Sequence, residues 1–231
     1  MTQLDQLKSE AATRVSHLLP NQTFQQFEDL NTRMLIAVTC MHHGHKELAY
    51  KLFATIAEAG PQENENRHFA YVRSLAEMAE IEAERGDFAD AEVHMAEALR
   101  EYPESMNYMM SRVHLEVYLT YYRFQAGKKE EAFRELRSII ERETRRFHAA
   151  DSPEDGRNLV GPGLCYAIHQ LALFHAEEGN WERAVKTFQE MRPFANEIDP
   201  DKWDEAASLT EQGRWEDAFH LLTSSVSYEA P

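Results

Sequence analysis

Apolar residues along this chain return every three or four positions, the spacing of one helix face. Leu75, Met78 and Ala79 mark one stripe, with Glu82 in the same register; Leu115, Leu119 and Tyr122 mark another, and Ile168, Leu171 and Ala172 a third that runs on to His175. Each is followed by a second stripe: Ala91, Met95, Ala98 and Leu99; Ala132, Leu136, Ile139 and Ile140; Ala184, Phe188 and Met191. Between the two stripes of a pair stands one recurring phrase, a Gly, a short polar turn and an Ala five residues after the Gly. It occurs at Gly44–Ala49, Gly86–Ala91, Gly127–Ala132, Gly179–Ala184 and Gly213–Ala218, with glycines 42, 41, 52 and 34 residues apart. The phrase predicts a helical hairpin: Gly supplies the left-handed residue that ends the first helix, and the small Ala lets the second helix approach it closely. Such a unit cannot bury its apolar face alone, so successive hairpins must stack.

Residues outside the five phrases complete the plan. Leu4, Leu7, Ala11, Val15 and Leu18 stand at helical spacing ahead of Pro20-Asn21, so residues 1–22 read as an N-terminal capping helix and 23–231 as the repeat domain. The long gap before Gly179 holds Asp151-Ser152-Pro153-Glu154-Asp155-Gly156 and Gly161-Pro162-Gly163, a loop-rich insertion. Asp199-Pro200 reads as an N-cap followed by Pro at the first helical position. No amphipathic helix follows Ser225, so the last hairpin, with Trp203, Trp215, Phe219 and Leu222, is expected to leave an apolar end bare. A homodimer covering that end, or a fold-back of Ser224–Pro231, is the expected remedy.

With these residues in view the chain resembles the tetratricopeptide repeat (TPR) family. Val72 to Pro103 carries most of the pattern, through Ala79, Gly86-Asp87-Phe88, Ala91, Ala98 and Pro103; Leu30 to Pro61 and Cys165 to Phe194 carry it nearly as well. The resemblance covers roughly residues 24–225 and implies an all-α, right-handed α-α superhelix of about five hairpins. Most repeats exceed the family's usual length of about 34 residues, as in the longer repeats of kinesin light chains and of bacterial signalling regulators.

Composition narrows the function classes. Lys and Arg number 24 against 40 acids, a net charge of −16 that repels phosphate backbones and anionic membranes. No apolar run reaches the ~20 residues of a membrane span, and the first residues lack a signal peptide's apolar stretch. Cys40 and Cys165 form no disulfide framework or multi-cysteine zinc site. A cytoplasmic protein without cofactor or metal is expected.

The resemblance also implies where partners would bind, because in TPR proteins the first helices of successive repeats line a groove for peptides or partner helices. Carried over by position, that groove holds His114, Tyr118, Tyr121 and Phe124 in the third repeat and Tyr166 and His169 in the fourth. Aromatic side chains are efficient anchors, burying much area with few rotamers to freeze; the competing reading places the same stripe in the core between helices. The Lys/Asn clamp by which some TPR domains grip chaperone tails is absent, its positions holding Met34, Val38, Ala76, Glu80, Val117, Tyr121, His169 and Leu173.

His42-His43-Gly44-His45 near Cys40 has metal-binding residue types, but it straddles a helix end, where His also suits the helix dipole. Cys165 and His169 stand four apart, the spacing of a thiolate–imidazole pair, with nothing to form an oxyanion hole. No catalytic constellation emerges. Between Arg123 and His148 the charge reverses to net positive, and Arg134, Arg137, Arg142, Arg145 and Arg146 form a candidate anion-facing patch; exposed Glu–Arg pairs along one helix are the plainer reading. The expectation is a non-catalytic protein-interaction module of unknown partner, with no nucleic-acid or membrane partner. The alternative is a regulator that takes a ligand or signalling peptide into a pocket of the groove.

Overall fold

The computed structural model describes residues 2–196 and 198–225. Among these it is all-helical, with twelve α-helices and no strand. Five hairpins account for ten of them: α2 (Leu30–His42) with α3 (Lys46–Ala57), α4 (Glu65–Glu84) with α5 (Phe88–Arg100), α6 (Arg112–Gln125) with α7 (Lys129–His148), α9 (Gly161–Glu177) with α10 (Trp181–Gln189), and α11 (Pro200–Glu211) with α12 (Trp215–Thr223). α1 (Gln3–Val15) leads, and α8 (Pro153–Leu159) lies in the insertion of the fourth repeat. The helices group into two compact units, Met1–Leu115 and Glu116–Pro231, with the division inside α6.

Each hairpin turn is the same device. Gly86 takes φ 85°, its N–H reaches the Ala83 carbonyl at 3.0 Å, and the next N–H, of Asp87, reaches the Glu82 carbonyl at 2.9 Å. This pair of bonds satisfies the last carbonyls of α4 and turns the chain in one residue, at a φ that costs an L-residue roughly 1–2 kcal/mol. The turns after α2, α6, α9 and α11 repeat the pattern. The alanine five residues on is fully buried in every hairpin. At the start of α9 the constraint is steric instead: a Cβ on Gly161 would stand 2.6 Å from the Phe194 carbonyl oxygen.

In the first unit α1 buries Leu7, Ala11 and Val15 on α2 and α3, joining a core of Phe27, Ile36, Leu52, Phe53 and Ile56. Arg33 is buried there, its guanidinium donating to the carbonyl oxygens of Phe27, Glu28 and Thr55 at 3.3–3.4 Å. Glu82, also buried, accepts from the Tyr50 hydroxyl at 2.6 Å and pairs with His94 Nδ1 at 2.7 Å, tying α4 to α3 and α5.

In the second unit Leu164, Ile168, Phe188, Trp203, Phe219 and Leu222 share one core. The expected bare C-terminal end is therefore a misreading. Trp203, Phe219 and Leu222 point inward, whereas Asp201, Asp204, Glu205, Ser208, Glu216, Asp217 and His220 face solvent. The outer face of this hairpin is thus polar among the described residues, with Trp215 half-buried. Residues 226–231 of the expected fold-back lie outside the described residues. Asp199 caps α11 as its sequence implied, accepting from the Lys202 N–H at 3.3 Å with Pro200 at the first position. No helix is long and apolar enough to cross a membrane, among the described residues.

Candidate functional site

The first helices of the second unit present a tyrosine and histidine face. Tyr118 and Tyr121 lie one turn apart on α6 and are half-buried, as are Tyr166 and His169 on α9. The Tyr118 ring meets Tyr166 edge-on at 5.9 Å and stacks on the buried Tyr122 at 6.5 Å; Tyr121 leans on Tyr122 at 5.9 Å. Beyond Tyr121, the Gln125 side-chain amide donates to Glu177 at 3.0 Å, a polar bridge from α6 to α9. Burial, reinforced by Glu177, raises the Tyr121 pKa, and burial pushes His169 down to about 4, so the face is uncharged at neutral pH. His169 is braced by the edge of Phe188 at 5.3 Å. Flat side chains with fixed neighbours and hydrogen-bonding tips suit recognition of a peptide or helix.

The other residues proposed for this face fall elsewhere. Phe124 is interior: it is 2% exposed and stacks on Phe174 at 4.1 Å, because its position on α6 turns toward α7 and α9. His114 is half-buried and lies within the first unit, its pKa lowered by burial.

The arginine patch divides in two. Arg142 forks onto Glu116 and bonds Glu143 at 2.8 Å, and Arg146 bonds Glu143 at 2.7 Å. Glu143 is 1% exposed, so those arginines neutralise a buried carboxylate, Arg146 doing so from an exposed position. Arg134, Arg137 and Arg145 remain exposed.

Neither cysteine suits chemistry. Cys40 faces the first core, its thiol raised to about 11 by burial and Glu10, and is withdrawn from the exposed His42 and His43. Burial raises Cys165 to about 12, opposite to what a nucleophilic thiolate requires. No group of three or more His, Cys, Asp or Glu is placed to hold a metal, among the described residues.

An open cleft of about 780 Å³ lies between the turns that begin α10 and α12, walled by Trp181, Trp215, Lys186 and Arg214. Of the cations that line it, Lys186 bonds Glu182 and Arg214 bonds Asp217 at 2.7 Å, while Arg183 stands exposed. The repeated Gly-Xaa-Trp-Glu of these two turns was the sequence sign of this cleft.

No family model matches the chain, and no curated protein matches it. Among solved structures it is similar to crystallised, nearly identical TPR-like repeats from Podosopora anserina, described as those of a kinesin light chain. The likeness has a TM-score of 0.55 at 16% identity and covers 83% of this chain and 84% of that one. At that identity it shows the fold, a TPR-like helical repeat.

Proposed function

We propose that this chain is a non-catalytic protein-interaction module whose second unit binds a peptide or partner helix across Tyr118, Tyr121, Tyr166 and His169. The fold supports the general class, since TPR-like repeats serve as interaction scaffolds. The observation that carries the specific reading is the half-buried, uncharged aromatic face joining α6 to α9, led by the Tyr118–Tyr166 contact. Groups so braced offer apolar area without needing to reorder on binding.

The test compares the native chain with Tyr121→Ala as baits in affinity capture, followed by quantitative titration of any captured partner. Tyr121→Ala is expected to weaken binding by ~1–3 kcal/mol, the range for an interface anchor, while the urea midpoint moves little. A variant that holds its partner unchanged, or that unfolds before binding can be read, removes Tyr121 from the binding face.

A further inference from the structure

The second helices of the same unit carry a different surface. α7 turns Arg134, Arg137 and Ser138 around the half-buried ring of Phe133, forming an open cleft of about 510 Å³ that Glu130 and Glu141 also line. The Phe133 ring rests edge-on against Phe124 and Phe174, and its centroid stands 5.0 Å from that of the buried His175. The Arg137 guanidinium lies over Phe133 at 5.6 Å.

The arginines here are unmatched. Glu130 and Glu141 stand one helical turn from Arg134 and Arg137, the spacing of an ion pair. Even so, among the described residues neither arginine, nor the exposed Arg183 on α10, has a carboxylate oxygen within 4.0 Å. This occurs in a chain with 40 acids for 24 bases, where most cations have partners close by. Burial first, then the charges of Arg183 and Arg137, hold the His175 pKa down to about 4.

We propose that this cleft docks an acidic, partly apolar peptide segment of a partner protein, its carboxylates on Arg134 and Arg137 and an apolar side chain against Phe133. A short peptide is the occupant rather than a second copy, because two chains of net charge −16 repel as wholes while a peptide brings few charges. Simple anions would leave the Phe133 ring unused. The surface adds to the interaction reading, yet it uses α7 rather than the tyrosines of α6 and α9, so either can fail alone.

The experiment titrates the full chain with labelled twelve-residue peptides of alternating Glu and Leu, and of alternating Lys and Leu. Net charge favours the Lys peptide everywhere on this protein, so saturable binding of the Glu peptide requires a local site. Arg134→Gln and Arg137→Gln are each expected to weaken it about fivefold or more, and Arg14→Gln, an equal charge change at an exposed position of α1, to leave it unchanged. Peptide saturation should also move the His175 imidazole titration upward in NMR, because bound carboxylates offset Arg137 beside it; a contact elsewhere would not. Absence of saturable binding by the Glu peptide overturns the proposal, and so does an equal effect of Arg14→Gln. Self-association of the native chain that Arg137→Gln abolishes would make a second copy the occupant and overturn it as well.

Discussion

Replacing His175 with Phe should flatten the dependence of stability on pH. His175 is 4% exposed on α9, and its pKa falls from 6.5 to about 4 through burial, Arg183 and Arg137. The folded state therefore holds the imidazole neutral, while the unfolded chain takes up a proton below about pH 6.5. More protons bound to the unfolded state means stability rises with pH, so His175 contributes fully above the unfolded pKa and its contribution drains as pH falls toward the folded value. At pH 5 the unfolded imidazole is almost fully protonated and the folded one barely, which costs about 2 kcal/mol relative to pH 7. A phenyl ring fills the same space beside Phe133 and carries no proton. Urea unfolding followed by circular dichroism at pH 7 and pH 5 should show the native chain losing about 2 kcal/mol more than His175→Phe over that interval. Parallel losses in the two proteins would refute the claim that His175 is held neutral.

Two further substitutions test the fold's own devices. His94→Ala leaves buried Glu82 with Tyr50 alone and should cost about 1–3 kcal/mol. The His94 pKa is raised, first by its bond to Glu82, so its stabilisation is present below about pH 6.5 and lost as pH rises through the folded value; the melting difference from native must be larger at pH 6 than at pH 9. Gly86→Ala places a Cβ in open space but at φ 85°, and chemical denaturation should show a loss of roughly 1–2 kcal/mol from backbone strain alone.

The hairpins were legible because their determinants are local. A left-handed glycine, the polar residue after it and a small alanine act within six positions, and the chain repeats them five times. The C-terminal end was misread because the same apolar residues serve either an exposed or an inward face. Trp203, Phe219 and Leu222 set the amount of apolar surface in the last hairpin, whereas its direction is set by the acids at 201, 204, 205, 216 and 217, which occupy the opposite stripes of α11 and α12. Weighing the polar stripe with the apolar one would have shown that Trp203, Phe219 and Leu222 face inward.

The candidate sites were less legible, for a reason the two helices α6 and α7 share. Four of the last eight residues of α6 are aromatic, so periodicity alone cannot separate Tyr118 and Tyr121 from the buried Tyr122 and Phe124; the Phe174 ring, fifty residues away, decides it. On α7 the discriminating sign stood within the sequence. Ala132, Leu136, Ile139, Glu143 and Phe147 fall in one buried stripe, so Glu143 is a carboxylate in an apolar register. Burying it demands cations within reach, and the residues one before and three after, Arg142 and Arg146, supply them. Arg134 and Arg137 lie along the same helix but flank Phe133, where no buried acid claims them. A charge run thus divides by what lies beneath each stretch: arginines committed to a buried carboxylate stabilise the fold, and those that flank an aromatic ring stay exposed.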